Sequence, residues 1–279
     1  MILADALAMG TTRLRQAGID GAARDAQLLL AEVLRVAVMR LALERDMVVP
    51  PADMLAYEEM LDRRISREPV SKIIGRRMFW GREFTVTRDV LDPRPETETL
   101  IAEALTGAPP SRILDLGTGS GILAVTLLAE WRDAFAVATD LSEPALKIAA
   151  RNATLNGVDN RLTLITSDWF SQVQGRFDLI VSNPPYIGAA EMPSLAPEVL
   201  GFDPQMALTP GGDGLSPYRD IAAKALDHLD PGGRILVEIG YRQGQAVCDI
   251  FTGAGLEQVR CHPDMDGRDR VVSARATLS

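Results

Sequence analysis

The string "SNPPY" at residues 182–186 ends a short apolar run, "FDLIV", and puts two prolines where a buried strand should stop. Neither Pro184 nor Pro185 has a backbone N–H, so neither continues a sheet ladder or enters a helix interior. The residue before a proline is driven towards extended geometry, which holds Asn183 at the strand's end. Asn183 then offers an amide side chain, Pro184 a carbonyl on a stiff turn, and Tyr186 a large ring with a polar tip. Two rigid hydrogen-bond acceptors beside an aromatic ring suit a flat group that carries N–H protons.

Three further positions read as a ligand pocket. "LDLGTGSG" puts Gly117, Gly119 and Gly121 in the turn between a strand and a helix. Glycines there let the backbone approach a ligand closely, and the helix N-terminus adds unpaired N–H groups. A dinucleotide fingerprint wants Gly-x-Gly-x-x-Gly, but position 122 is Ile and the spacing is Gly-x-Gly-x-Gly. The turn is therefore compatible with another adenosine-containing ligand. Asp140 closes the next strand, "VATD", where a carboxylate can accept from both ribose hydroxyls. It could instead cap the helix that starts near Glu143, but Ser142 is available for that, which favours the ribose role. Asp168 and Trp169 end the third strand and offer a carboxylate and an indole to an adenine ring.

These residues need a scaffold, and the hydrophobic pattern supplies one. Residues 1–70 place apolar side chains three and four apart, in "ILADALAMGTTRLRQAG" and "ARDAQLLLAEVLRVA", which predicts a helical bundle. "PPADMLAYEEMLDRRISREP" opens with prolines and acids and closes with arginines, as the helix dipole prefers, and Pro69 stops it. Over residues 71–91 the β-rich runs "KIIGRRMFW" and "REFTVTRDV" flank Gly81 and predict a hairpin linking two domains. A proline-stiffened loop then runs into a helix from about Glu96. From Arg112 strands and helices alternate, which predicts an α/β domain over residues 92–279 with a doubly wound parallel sheet. Its last two strands, "LEQVRCHPD" and "RDRVVSARAT", read as an antiparallel pair, so the seven-stranded sheet is mixed. Residues 187–213, rich in proline and glycine, read as one long loop.

Bulk properties narrow the classes. With 279 residues, 47% hydrophobic and 24% charged, the chain has material for two ordinary domains. No apolar run approaches the roughly 20 residues a membrane span needs, and no basic stretch precedes an apolar one at the N-terminus. A cytoplasmic protein without a membrane partner is the expectation. Cys248 and Cys261 cannot make a disulfide framework and fit a reducing compartment. A net charge of −9 argues against a general nucleic-acid binder. The exception is a basic cluster, Arg63, Arg64, Arg67, Lys72, Arg76, Arg77 and Arg82, which reads as a solvated face or as a docking patch for an acidic or RNA-associated partner. The two histidines, His228 and His262, read as structural, and no metal site is expected.

From about Arg94 onward, the ordered set "DLGTGSG", Asp140 and Asp168-Trp169 resembles the class I S-adenosylmethionine-dependent methyltransferases. That resemblance implies a Rossmann-like fold with S-adenosyl-L-methionine as donor and S-adenosyl-L-homocysteine as product. It sets Gly117, Thr118, Gly119, Ser120 and Gly121 against the methionine part, Asp140 against the ribose, and Asp168 with Trp169 against the adenine, with Asn183 also near the donor. The acceptor is then the difficulty, because a planar amide or amino nitrogen has a delocalised lone pair. Asn183 Oδ1 and the Pro184 carbonyl can hold its two protons, aim it at the methyl and favour pyramidal geometry. Pro185 stiffens the turn, and Tyr186 can pack on the flat face. The same turn serves enzymes that methylate adenine N6, guanine N2 or glutamine amides, and it alone does not choose among them.

Added to the helical N-terminus, the hairpin and "PRPETE" at residues 93–98, these motifs closely resemble the release factor glutamine methyltransferases (PrmC/HemK family) over essentially the whole chain. That resemblance implies methylation of N5 of the glutamine in the Gly-Gly-Gln loop of class 1 peptide-chain release factors, with the N-terminal bundle gripping the partner and no stable nucleic-acid binding. Related ribosomal-protein glutamine methyltransferases, which typically lack "RPETE", and nucleic-acid adenine N6-methyltransferases are the alternatives. Arg94 and Glu96 are expected to shape the pocket near the methionine end or to fix their loop by a salt bridge.

Overall fold

The computed structural model describes residues 1–278 and divides them into two compact units. The first holds Met1–Gly75 together with Ala196–Phe202; the second holds the remainder from Arg76 onward.

The first unit consists of α1 (Leu3–Gln16), α2 (Ala22–Leu34), α3 (Val38–Leu41), α4 (Pro51–Ile65) and α5 (Val70–Ile74), with α9 (Pro197–Phe202). Apolar spacing dictates the packing: Leu3, Ala6, Gly10 and Leu14 line one face of α1 and are buried. Gly10 sits mid-helix, normally a cost of about 0.5–1 kcal/mol against Ala. Its reason is Tyr57, whose hydroxyl would lie 2.0 Å from a Cβ at that position. That hydroxyl donates to the Ala26 carbonyl at 3.2 Å, which ties α4 to α2. The expected strand "KII" is helical instead. Ile73 packs into the helical core, so tertiary contact overrides the β propensity of the paired isoleucines, and Gly75 at φ 78° ends the turn.

The basic cluster is largely spent on internal ion pairs. Arg63 meets Glu68 at 2.6 Å, and the buried Arg64 meets both Asp25 at 2.8 Å and Glu198 at 3.2 Å. Arg76 faces Glu83, Arg77 faces Asp92, and Arg82 faces Glu130. Little of this charge is left over for a docking patch.

The second unit opens with an antiparallel hairpin, β1 (Arg76–Phe79) and β2 (Arg82–Thr85). Its two-residue turn, Trp80 at φ 49° and Gly81 at φ 70°, has the left-handed pair that matches strand twist. The main sheet has seven strands: β3 (Arg112–Leu116), β4 (Phe135–Asp140), β5 (Leu162–Thr166), β6 (Phe177–Ser182), β7 (Leu229–Glu238), β8 (Glu257–Pro263) and β9 (Asp269–Arg275). Their spatial order is β5-β4-β3-β6-β7-β9-β8, with the first five parallel and the last two antiparallel to their neighbours. The mixed seven-stranded sheet expected from the sequence is therefore present.

Both faces of the sheet are covered, as parallel strands require. On one side α6 (Glu98–Leu105), α7 (Ile122–Glu130) and α8 (Glu143–Leu155) add Leu100, Val125 and Ala153 to the core. On the other, α11 (Ser216–His228) and α12 (Gly244–Gly253) add Tyr218 and Phe251. The segment expected as one loop at 187–213 instead carries a 3-10 turn at Met192–Ser194, α9 and α10 (Gln205–Leu208). Each is too short for hydrophobic periodicity to register. Both histidines are held by local partners: the His228 ring stacks on Phe170, and His262 Nε2 lies 2.7 Å from Ser273 Oγ. No helix among the described residues is long and apolar enough to cross a membrane.

Candidate active site

β3 pairs with β4 on one side and with β6 on the other, so the strand order reverses beside it. Open α/β sheets bind ligands outside the carboxyl ends of strands at such a point. A cavity of about 290 Å³ lies there, within the second unit. Gly117, Thr118, Gly119 and Ser120 line it after β3, Asp140 after β4, Asp168 and Trp169 after β5, and Asn183 and Pro185 after β6. Gly121, Pro184 and Tyr186 are not among its lining residues.

The glycine turn has positive φ at all three glycines, 69° at Gly117, 55° at Gly119 and 83° at Gly121. They do different work. A Cβ at Gly119 would meet nothing within 4 Å, so that backbone faces open space. At Gly121 a Cβ would lie 3.1 Å from Ala149 Cβ, so this glycine lets the start of α7 approach α8. Asp115, inside β3 and fully buried, braces the turn: its Oδ2 accepts from Thr118 Oγ1 at 2.6 Å and from the Ala124 N–H at 3.2 Å. Burial pushes its carboxyl up to about 7, against the opposing pull of those two bonds.

Asp140 Oδ2 accepts from the Gly119 N–H and Oδ1 from the Ser142 N–H, each at 2.8 Å. Burial raises its pKa despite these bonds. The helix cap is Ser142, whose hydroxyl accepts from the Ala145 N–H at 3.3 Å. Asp140 is thereby left with one spare lone-pair site on each oxygen. Trp169 adopts φ 45°, a left-handed conformation that bulky residues avoid at a cost of order 1–3 kcal/mol. Its neighbour Ser167 holds that geometry by donating to the Trp169 carbonyl at 2.8 Å.

Asn183 leaves β6 just past Ser182, whose hydroxyl donates to the Leu116 carbonyl at 2.7 Å and locks the ends of β6 and β3 together. Asn183 Nδ2 donates to Thr97 Oγ1 at 3.4 Å, so the amide commits its N–H side to Thr97 and keeps Oδ1 for an incoming donor. Tyr186 packs against the core cluster of Tyr218 and Val237. Its carbonyl accepts from Gln243 Nε2 at 2.9 Å, and burial pushes its hydroxyl pKa well up. Arg94 lines the cavity and also meets the buried Asp203 at 2.9 Å, so it both shapes the wall and fixes its loop.

Sequence reasoning missed Asp115, Thr97 and Glu238. Glu238 ends β7 almost fully buried, with Oε2 without a partner and the Thr97 hydroxyl near enough to favour its ionised form. Desolvation raises its pKa to about 7. A signal existed for the two acids: each interrupts an otherwise apolar run, "ILDLG" and "ILVEIG", where a carboxylate is expensive unless it has a task.

Comparison places this geometry. The fold is shared with a methyltransferase from Pyrococcus furiosus at TM-score 0.57 and 18% identity, covering 79% of this chain and 99% of that one. A tRNA m1G37 methyltransferase from M. jannaschii aligns at TM-score 0.51 with 14% identity over 73% of this chain and 57% of its own. The fold is one that methyltransferases share. The family described as PrmC N-terminal domain matches residues 5–75, and that described as methyltransferase small domain matches residues 89–214. The release factor glutamine methyltransferase of Cereibacter sphaeroides is 55% identical over 275 residues, 99% of both chains. That of Rhodospirillum rubrum is 42% identical over 277 residues, 99% of this chain and 85% of its own. The chain belongs to the release factor glutamine methyltransferase family.

Proposed function

We propose that this protein methylates N5 of the glutamine in the Gly-Gly-Gln loop of class 1 release factors, using S-adenosyl-L-methionine. The observation that carries this reading is that Asn183 lines the same cavity as the glycine turn, Asp140 and Trp169. An acceptor-holding amide and a donor-shaped cleft therefore share one space.

The residues present fit the donor. Gly119 offers open backbone, Asp140 keeps two acceptor sites for ribose hydroxyls, and the Trp169 indole forms a flat wall for a purine. When bound, the sulfonium supplies an electrophilic methyl with a neutral leaving group. What remains for the chain is the acceptor. Asn183 Oδ1, from a lining residue, holds one carboxamide proton, and the carbonyl of Pro184, which itself is not in the lining but stands between the lining residues Asn183 and Pro185, takes the other, turning the nitrogen towards the methyl and favouring a pyramidal transition state. The prolines keep this turn stiff, and orientation of this kind supplies up to roughly 7–11 kcal/mol. Tyr186, which lies outside the cavity lining and packs on the core cluster, supports the turn from behind. The N-terminal unit grips the body of the release factor, and the protein works in the cytoplasm.

A net charge of −9 supports a protein substrate over free DNA. Incubation with donor and either release factor or DNA tests the choice. Mass spectrometry should find one added methyl on the Gly-Gly-Gln peptide. Label on DNA with an unmodified peptide would reject the reading.

A further inference from the structure

We propose that Glu238 and Thr97 form a hydrogen-bonded relay that sets which way the Asn183 amide faces, making both of them positioning residues for methyl transfer. The inference rests on the reading that Asn183 Oδ1 accepts from the substrate amide.

An asparagine amide is nearly symmetric in shape, so packing alone does not decide which end enters the cavity. If Nδ2 faced the cavity, its protons would oppose those of the substrate nitrogen. The choice falls to Thr97, which is almost fully buried and sits 3.4 Å from Asn183 Nδ2. A threonine hydroxyl has one proton and can donate it in either direction. Glu238 decides the direction. An ionised carboxylate only accepts, so the Thr97 proton points to Glu238, and Thr97 Oγ1 is left as an acceptor for Asn183 Nδ2. Asn183 Oδ1 is then the end presented to the substrate. The placement also accounts for an otherwise costly group: a carboxyl buried at the end of an apolar strand with Oε2 unpartnered.

The relay has a proton dependence. Once protonated, Glu238 can donate to Thr97, whose own proton turns to Asn183 Oδ1 and reverses the amide. The groups facing Glu238 are Tyr186 after β6, Tyr218 from α11, Arg270 from β9, and Arg94 and Glu96 from the loop before α6. Both tyrosine hydroxyls are pushed to higher pH and Arg270 stays charged, while burial pushes the Glu238 carboxyl up to about 7.

The test uses kcat for transfer to a release factor at saturating donor, with donor affinity read separately by calorimetry. Thr97→Val should lower kcat by roughly ten- to a hundredfold, the scale of a misplaced active-site contact, while donor affinity stays within about threefold. Thr97→Ser, which keeps the hydroxyl, should recover most of that loss. The parent's kcat should rise between about pH 6 and about pH 8, and Glu238→Gln, which cannot ionise, should flatten that rise. Thr97→Val at the parent's kcat, Thr97→Ser as slow as Thr97→Val, or a parental pH profile in Glu238→Gln would each overturn the relay. Asn183→Ala separates the two levels. Retained transfer there would overturn the site reading and the relay with it. Lost transfer there, with Thr97 and Glu238 variants unaltered, would overturn the relay alone.

Discussion

Replacing Asp140 by Asn changes one atom and has a calculable consequence. Both carboxylate oxygens already accept a backbone N–H at 2.8 Å, from Gly119 and from Ser142. Each has one acceptor site left, and the proposed donor fills both with ribose hydroxyls. Hydrogen bonds to a charged acceptor contribute about 1.5–3 kcal/mol each. Asparagine keeps one oxygen and turns the other into an NH₂ that faces a backbone N–H instead of accepting from it. One ligand bond is lost and the other loses its charge assistance. After partial compensation by rotated hydroxyls the expected loss is about 2–4 kcal/mol, a roughly 30- to 1,000-fold rise in Kd. Calorimetric titration with S-adenosylhomocysteine measures it, and a thermal melt without ligand shows that the variant is folded. A folded Asp140→Asn protein whose Kd lies within about threefold of the parent's would refute the ribose assignment, because no other group in the cleft offers paired acceptors at the end of β4.

Other expectations follow from particular contacts. Asn183→Ala should lower kcat by about a hundredfold or more while leaving S-adenosylhomocysteine binding nearly intact; equal losses in both would make Asn183 a donor-binding residue instead. Gly10→Ala should destabilise by about 1–3 kcal/mol, because overpacking against Tyr57 outweighs the helix-propensity gain; a rise in the urea midpoint would refute that packing. Glu238→Gln should change the pH dependence of stability. In the fold this carboxyl rises from 4.5 to about 7, so the native state holds the proton more tightly than the unfolded chain. Its contribution is therefore fully present below the unfolded value and lost as pH rises through about 7. The window is worth about 3 kcal/mol, so the variant should gain that much on the parent between about pH 4.5 and about pH 8. A stability difference constant across that range, followed by urea titration, would contradict it.

Much of the molecule was legible because local and global signals agree. "FDLIVSNPPY" carries its own stop: the prolines cannot extend β6, so Asn183 must stand at a strand end in any fold containing that strand. "DLGTGSG" likewise declares a turn with positive φ, and the alternation of strands and helices declares a parallel sheet. Where the reading failed, tertiary contact had overruled a local preference. The isoleucines of "KII" favour a strand in isolation and form α5 because Ile73 has a helical core to enter.

The chain's chemistry, then, is written in its residue types: a glycine turn, acids after strands and an amide held between apolar walls and prolines need only sequence order to be found. Their partners are another matter. Gly119 and Gly121 look alike in the string, yet one faces open space and the other the side of α8. Asn183, Thr97 and Glu238 lie far apart in sequence and meet only because β7 pairs beside β6. Which end of an amide faces a substrate depends on where the neighbouring proton sits. Only the folded arrangement of three distant side chains settles that.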